Sequence, residues 1–275
     1  MQPLEFIKFT PRTNCGECGY AACLAFAAAV TKGGEDPVKC PYIDQSLLGE
    51  EFGAQERGKD GLRGVAKLLD EKDLALVAHL KDKTSGIDFS SVAESIGCEW
   101  SGPEEDTLCF RFLGQDVELS HKGILIDGNE AEDPRDQILL YNYVHFGAGA
   151  RKPKQEWIGM ESLPNSISKI RTLRVYCEER IASYFTGRPD LLKRCAPLLD
   201  AVLQEDSEQS CTAAFLVPVL PRLPLFVLFW DEEQEDHFPA KVKVLFDQDV
   251  LAFLDIESLV FASERMAERW LKLGS

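Results

Sequence analysis

Apolar positions recur along this chain with two different periods. Leu62, Val65, Leu68, Leu69, Leu74, Val77 and Leu80 follow one another at about one helical turn, which predicts a helix over 62–83, and a second, shorter one is expected at 89–96. The period then shortens. Segments 107–112, 115–119 and 123–126 are short and bounded by Gly114 and by Asp127-Gly128-Asn129, so they predict a small antiparallel meander. Helical spacing returns at 134–146 and over 166–185, where Ile167, Ile170, Leu173, Cys177, Ile181 and Tyr184 share a face. Pro189 suits the first turn of a further helix, which Pro197 interrupts. Two apolar runs, 214–220 and 225–230, are punctuated by Pro221 and Pro224. In 241–246, Lys241 and Lys243 alternate with Val242, Val244 and Phe246, as in a half-buried strand. A closing helix is expected at 256–271. Together these segments predict an α+β body with antiparallel sheet and no internal repeat.

The first part of the chain has a different character. Residues 1–43 offer a short apolar entry (Leu4, Phe6, Ile7), a cysteine-rich segment, and one Ala-rich helix expected at 21–31 that Gly33-Gly34 would stop. So little apolar material requires some staple other than a core. Residues 49–61, GEEFGAQERGKDG, are rich in glycine and charge and read as a linker. The expected organisation is therefore a small stapled module at 1–48, a linker at 49–61, and the α+β domain at 62–275.

Charge narrows the partners. The chain of 275 residues carries a formal net charge of −16. Four basic residues oppose five acidic ones within 1–48, so the acidity belongs to the body. Such a charge repels a nucleic-acid backbone or an anionic membrane surface over a Debye length, and neither is expected as the partner. No window approaches the roughly 18 apolar residues of a membrane span, and the N-terminus lacks the pattern of a signal peptide, which predicts a cytoplasmic protein.

In a reducing compartment nine cysteines are expected as thiols or metal ligands. Cys15, Cys18, Cys23 and Cys40 form C-x2-C-x4-C-x16-C, with Pro41 after the last, whereas Cys98, Cys109, Cys177, Cys195 and Cys211 are scattered singly. Four thiolates can hold a [4Fe–4S] cluster, one sulfur to each iron, when a flexible loop supplies most of them and a distant residue closes the cage. Gly16 and Gly19 would let backbone N–H groups approach the sulfurs, and Cys23 falls near the start of the expected helix, whose dipole favours thiolate charge. Structural zinc uses four cysteines too, but commonly as two C-x2–4-C knuckles, of which only Cys15/Cys18 is present here. Unliganded thiols or disulfides remain a third reading, against which stands the lack of a core to bury them.

The stretches Thr13-Asn14-Cys15-Gly16-Glu17-Cys18-Gly19, Cys23-Leu24-Ala25-Phe26-Ala27 and Lys39-Cys40-Pro41-Tyr42 resemble the four-cysteine [4Fe–4S] domain of the large subunit of the corrinoid/iron–sulfur protein of anaerobic one-carbon metabolism. That resemblance covers residues 4–45 and implies that Cys15, Cys18, Cys23 and Cys40 ligate one [4Fe–4S] cluster. It also implies low-potential electron transfer to a redox partner, such as a corrinoid protein or methyltransferase, in an anaerobe. The methyl-carrier role does not come with it, because the remainder of this chain is too short and wrongly patterned for the other domains of that subunit. The body, through Leu223-Pro224-Leu225 to Phe229-Trp230, Phe238-Pro239-Ala240, Val244-Leu245-Phe246-Asp247 and Asp136-Gln137-Ile138-Leu139-Leu140-Tyr141, resembles an uncharacterised domain family of anaerobes, which implies a fold and no activity.

No known catalytic pattern stands out in the body. His79, His121, His145 and His237 are dispersed, and none lies in D-x-H-x-x-G. The acidic run 231–236 before His237 reads as a solvated hairpin tip. Gly147-Ala148-Gly149-Ala150 reads as a helix stop and not as a dinucleotide loop. Cys177 and Cys195 are expected in the core, Cys98, Cys109 and Cys211 are separated by whole elements, and the four tryptophans are expected as core or rim anchors. An electron-transfer protein is thus favoured over a stand-alone enzyme. The alternatives are a reductase whose body binds a small molecule such as a corrinoid or tetrapyrrole, for which a pocket near Trp230 would speak, and a non-redox binding or sensor protein with a structural cluster or zinc.

Overall fold

The computed structural model describes residues 3–13, 15, 17–20, 22–33, 35–43, 73–147, 152–205, 210–233 and 237–275. Contacts divide the chain after Leu74 into two compact units, a small helical N-terminal one and a mixed α/β body. The expected linker at 49–61 and the expected helix start at 62–72 lie outside the described residues.

In the small unit, α1 (Pro3–Phe6) passes into a 3-10 turn at Ile7–Phe9. Thr10 closes that turn, its backbone N–H and its hydroxyl both donating to the carbonyl of Ile7, at 3.2 and 2.8 Å. The Ala-rich sequence CLAFAAAVTKG forms α2 (Cys23–Gly33), as its helix propensity dictates. Beyond it, Glu35 N–H donates back to the Ala29 carbonyl at 3.1 Å. A second 3-10 turn, Pro37–Lys39, is capped by Asp36, whose carboxylate accepts from Val38 N–H. Phe6, Phe26, Ala27, Val30, Cys40 and Ile43 make the core of this unit, with Cys18 and Tyr20 packed against it. The Phe26 ring meets Phe6 edge-on at 6.3 Å and Tyr20 at 5.5 Å. Each large apolar side chain buried this way contributes on the order of 1.5–3 kcal/mol. So small a set cannot hold a long cysteine loop alone.

The body begins with α3, described over 73–84, and α4 (Phe89–Ile96), capped by Asp88 and ended by Gly97 in the left-handed region. A five-stranded antiparallel meander follows: β1 (Glu99–Trp100), β2 (Thr107–Phe112), β3 (Gln115–Ser120), β4 (Gly123–Ile126) and β5 (Asn129–Glu130). The period of two along β2 turns Leu108, Phe110 and Phe112 inward. Leu113-Gly114 makes the two-residue turn between β2 and β3, and glycine is required there: a Cβ on Gly114, at φ +79°, would stand 2.1 Å from the Leu198 carbonyl oxygen.

Asp133 caps α5 (Pro134–Phe146), whose buried face carries Leu139, Leu140, Tyr143 and Val144. The helix stops at Gly147, as expected. The expected helix over 166–185 is one helical run with an inserted irregularity. It consists of α6 (Ile167–Leu173), a π turn (Arg174–Glu178) and α7 (Glu179–Phe185). The buried stripe runs through Leu173, Cys177, Ile181 and Phe185, and Ile167 at the start of α6 is exposed. Inside it, the buried Glu178 carboxylate accepts the N–H of Val244 at 3.0 Å, and burial raises that carboxyl above its ordinary range. Next comes α8 (Pro189–Cys195), which Pro197 converts to a 3-10 turn.

The second sheet has the order β6-β10-β9-β8-β7 and is antiparallel throughout. Its members are β6 (Trp157–Gly159), β7 (Val202–Leu203), β8 (Ala213–Leu220), β9 (Leu223–Trp230) and β10 (Lys241–Asp247). Finally α9 (Ile256–Leu273), capped by Asp255, lays Leu259, Ala262, Met266 and Trp270 on the core. The Trp270 ring is fully buried and meets Phe215 edge-on at 5.2 Å.

Candidate metal centre

All four cysteines of the expected ligand set lie in the small unit. Cys23 is the first residue of α2, where the helix dipole favours negative charge, and it is buried. Cys40 follows the second 3-10 turn and is a member of the apolar core, with Cys18 packed at its margin and Cys15 exposed. Between Cys18 and Tyr20, Gly19 adopts φ +84°, a conformation that a residue with a Cβ rarely takes, and nothing lies within 4 Å of where that Cβ would be. The loop thus turns sharply while keeping its backbone open on that side.

Two tyrosine–carboxylate pairs brace this loop. Tyr42 donates to Glu17 Oε1 at 2.8 Å, tying the residues after Cys40 to those between Cys15 and Cys18. Hydrogen bonding to Glu17 raises the Tyr42 phenol, and Cys15 and Cys40 are both near enough to add to that shift. Tyr20 donates to Glu35 Oε2 at 2.7 Å, and Lys39 binds the same oxygen at 2.9 Å. These hydrogen bonds pull the Glu35 carboxyl down to about 2. The sequence reading missed both pairs, although each joins residues adjacent to the cysteine pattern.

The donor set fits an iron–sulfur group: four thiols in one small unit, Cys40 within its apolar core and Cys23 buried. Among the described residues no three Cys, His, Asp or Glu side chains are gathered at metal-holding distance, so the thiols share one unit without forming a closed cage.

In the body the pattern of single cysteines is modified at one point. Because Glu99 pairs with Cys109 across β1 and β2, Cys98 lies beside β2, and Cys98 and Cys109 are neighbours despite the elements expected between them. They alternate to opposite faces of the strand pair. Cys98 is buried and its thiol is pushed up to about 12 by burial, while Cys109 is half-buried. Cys177 and Cys195 are core residues, as expected. Of the histidines, His121 contacts Asp106 at 3.0 Å and stacks on Phe89 at 4.2 Å; His237 sits at a hairpin tip of which residues 234–236 lie outside the described residues. A cavity of about 700 Å³ opens between the meander and α9, not beside Trp230. Among the described residues no helix is long and apolar enough to cross a membrane.

A cysteine-loop module of iron–sulfur type, followed in sequence by an α+β body, is the class that these features define. Residues 88–269 match the family described as a domain of unknown function, DUF3786, and the chain belongs to that family. Residues 11–42 match the family described as "Putative Fe-S cluster". The N-terminal segment is 51% identical over 41 residues to the acetyl-CoA decarbonylase/synthase complex subunit gamma 2 of Methanosarcina thermophila, 15% of this chain and 9% of that protein. It is 44% identical over 43 residues to the corrinoid/iron–sulfur protein large subunit of Moorella thermoacetica, 16% of this chain and 10% of that one. Similarity to a component of the ion-translocating oxidoreductase complex of Azoarcus sp. (strain BH72) extends over 102 residues at 30% identity, 37% of this chain and 44% of that component. The chain thus spans less than half the length of these relatives. No solved structure matches it.

Proposed function

We propose that Cys15, Cys18, Cys23 and Cys40 hold one [4Fe–4S] cluster, and that the protein passes single electrons between protein partners in anaerobic metabolism. The observation that carries this reading is the cysteine pattern itself, placed in a unit whose small core includes Cys40 and matched over residues 11–42 to an iron–sulfur family. When bound, such a group accepts and returns one electron without any bond to substrate being made or broken. The chain's own residues do the rest. Exposed Cys15 marks the side from which a partner approaches, the apolar set of Phe6, Phe26 and Ile43 keeps water from the side of Cys40, and the Tyr42–Glu17 hydrogen bond holds the two ends of the ligand loop together. A corrinoid protein or a methyltransferase is the favoured partner, because the matched segment of one relative belongs to a corrinoid/iron–sulfur protein.

The test is reduction by dithionite of anaerobically reconstituted protein, followed by EPR, for the wild type and for Cys15→Ser. A half-integer-spin signal that the serine variant loses or alters is expected. A zinc-loaded, EPR-silent protein, or a Cys15→Ser variant identical to wild type, would overturn the assignment.

A further inference from the structure

The cavity between the meander and α9 is lined by two kinds of charge. Asp133, Asp136 and Glu268 are satisfied: Arg265 binds Asp136 through two nitrogens at 2.7 and 2.6 Å and Glu268 at 2.6 Å, and Arg135 binds Asp133 at 2.8 Å. Arg269, one helical position beyond Glu268, is not. Its Nε donates to the Leu113 carbonyl at 3.1 Å, which fixes the guanidinium at the cavity wall. Among the described residues no carboxylate lies within ion-pair distance of its terminal nitrogens. Asp127, the strongest negative influence on it, is itself held by Gln115 Nε2 at 2.7 Å and by the N–H of Asp116 at 3.0 Å. Burial accordingly pulls the Arg269 guanidinium below the ordinary arginine range, the direction opposite to Arg111, Arg135 and Arg265. Lys272 stands one turn further along α9 on the same cavity, with no ion pair among the described residues.

A half-buried arginine held by one nitrogen, with its fork open to a cavity of about 700 Å³, is the arrangement that recognises a carboxylate or phosphate oxygen pair. That volume is of the size that small ligands occupy. Ile126 and Phe112 supply an apolar wall for the rest of the ligand. The exposed Glu130 and Glu132 line the cavity as well, and they repel a ligand of high negative charge. We infer that this cavity binds a small organic anion, one carboxylate or phosphate on an apolar body, with Arg269 and Lys272 holding the charged end. The site belongs to the body alone and goes beyond the electron-transfer reading of the N-terminal module.

The experiment is calorimetric titration of the full chain with benzoate, with phenyl phosphate and with neutral benzyl alcohol, each to about 10 mM, where even a millimolar site fills. Binding of at least one anion and not of the alcohol is expected, and which anion binds tells carboxylate from phosphate. Arg269→Gln should weaken that binding roughly tenfold to a hundredfold, the range for loss of a charged hydrogen-bonding group. Lys272→Glu, at an exposed position that does not threaten the fold, should weaken it by a factor of about three or more. The inference is overturned if neither anion binds, if the alcohol binds equally well, or if the affinity is unchanged in Lys272→Glu.

Discussion

Replacing Arg265 by leucine tests the electrostatic account of the body most sharply. Arg265 and Asp136 are paired through two hydrogen bonds, with side chains only 16% and 14% exposed. Glu268 keeps Arg135 and Arg180 when Arg265 is removed, at 3.5 and 3.4 Å, whereas Asp136 has no other ion pair among the described residues. The cost therefore concentrates on Asp136. Burial already raises its carboxyl, and Arg265 is the main influence pulling it back down. Breaking a buried pair from one side costs on the order of 3–5 kcal/mol. The orphaned carboxyl has an escape, because it can take up a proton. From an unfolded value of about 3.9, that costs about 1.4 kcal/mol for each pH unit above it, hence about 4 kcal/mol at pH 7 and about 1.5 kcal/mol at pH 5. A carboxyl whose folded value is raised loses stability as pH rises, so the sign is fixed: Arg265→Leu should be destabilised by about 3–4 kcal/mol at pH 7 and by about half of that or less at pH 5. Urea unfolding followed by tryptophan fluorescence, to which the buried Trp270 of the same helix contributes, measures both values. The double variant Arg265→Leu/Asp136→Leu should recover most of the loss. A loss below about 1 kcal/mol at pH 7, or one that is the same at both pH values, would refute the reasoning.

Further perturbations address other parts of the chain. Gly114→Ala forces a Cβ onto the Leu198 carbonyl at 2.1 Å and strains a positive φ, so a loss of at least about 2 kcal/mol in urea unfolding is expected, and a neutral variant would contradict the turn geometry. Phe26→Ala removes the ring between Phe6 and Tyr20 in the small unit, at a cost of about 3–5 kcal/mol, and should abolish amide-exchange protection of α2 in metal-free protein while leaving that of α9 intact. Cys98, pushed up to about 12, carries a thiolate fraction on the order of one in ten thousand at pH 8, so iodoacetamide should label it far more slowly than Cys211 until denaturant is added; equal rates in mass-spectrometric footprinting would count against its burial.

The regular elements were legible because a single period ran through each of them. Alternation marked β10, Gly114 separated β2 from β3, Asp127-Gly128-Asn129 closed β4, and helical spacing marked α9. The two- and three-residue edge strands β1, β5, β6 and β7 were not, since so short a segment has no period to read and exists only through its partner strand. The π turn was hidden because Ile170, Leu173, Cys177 and Ile181 keep helical spacing on paper, while Glu178, which reaches into the sheet to satisfy Val244, reads as a solvent-facing residue. The proximity of Cys98 to Cys109 follows from the pairing of Glu99 with Cys109 and was lost with β1.

Sequence spacing placed Cys15, Cys18, Cys23 and Cys40 in one small module, and there it stopped. The bracing by Tyr42–Glu17 and Tyr20–Glu35 joins residues 25 and 15 apart through side-chain hydrogen bonds that no local pattern encodes. The Arg269 cavity was out of reach for a related reason. Four arginines, Arg135, Arg180, Arg265 and Arg269, surround one group of acids, and which of them is left without a carboxylate is decided only by the packing of α9 against α5 and the Leu113 turn.

The central claim is that four N-terminal thiolates hold a cubane cluster. The most direct measurement is the iron, zinc and acid-labile sulfide content of the protein purified without oxygen. The account predicts about four irons and about four sulfides per chain with no zinc. Zinc without sulfide would contradict it.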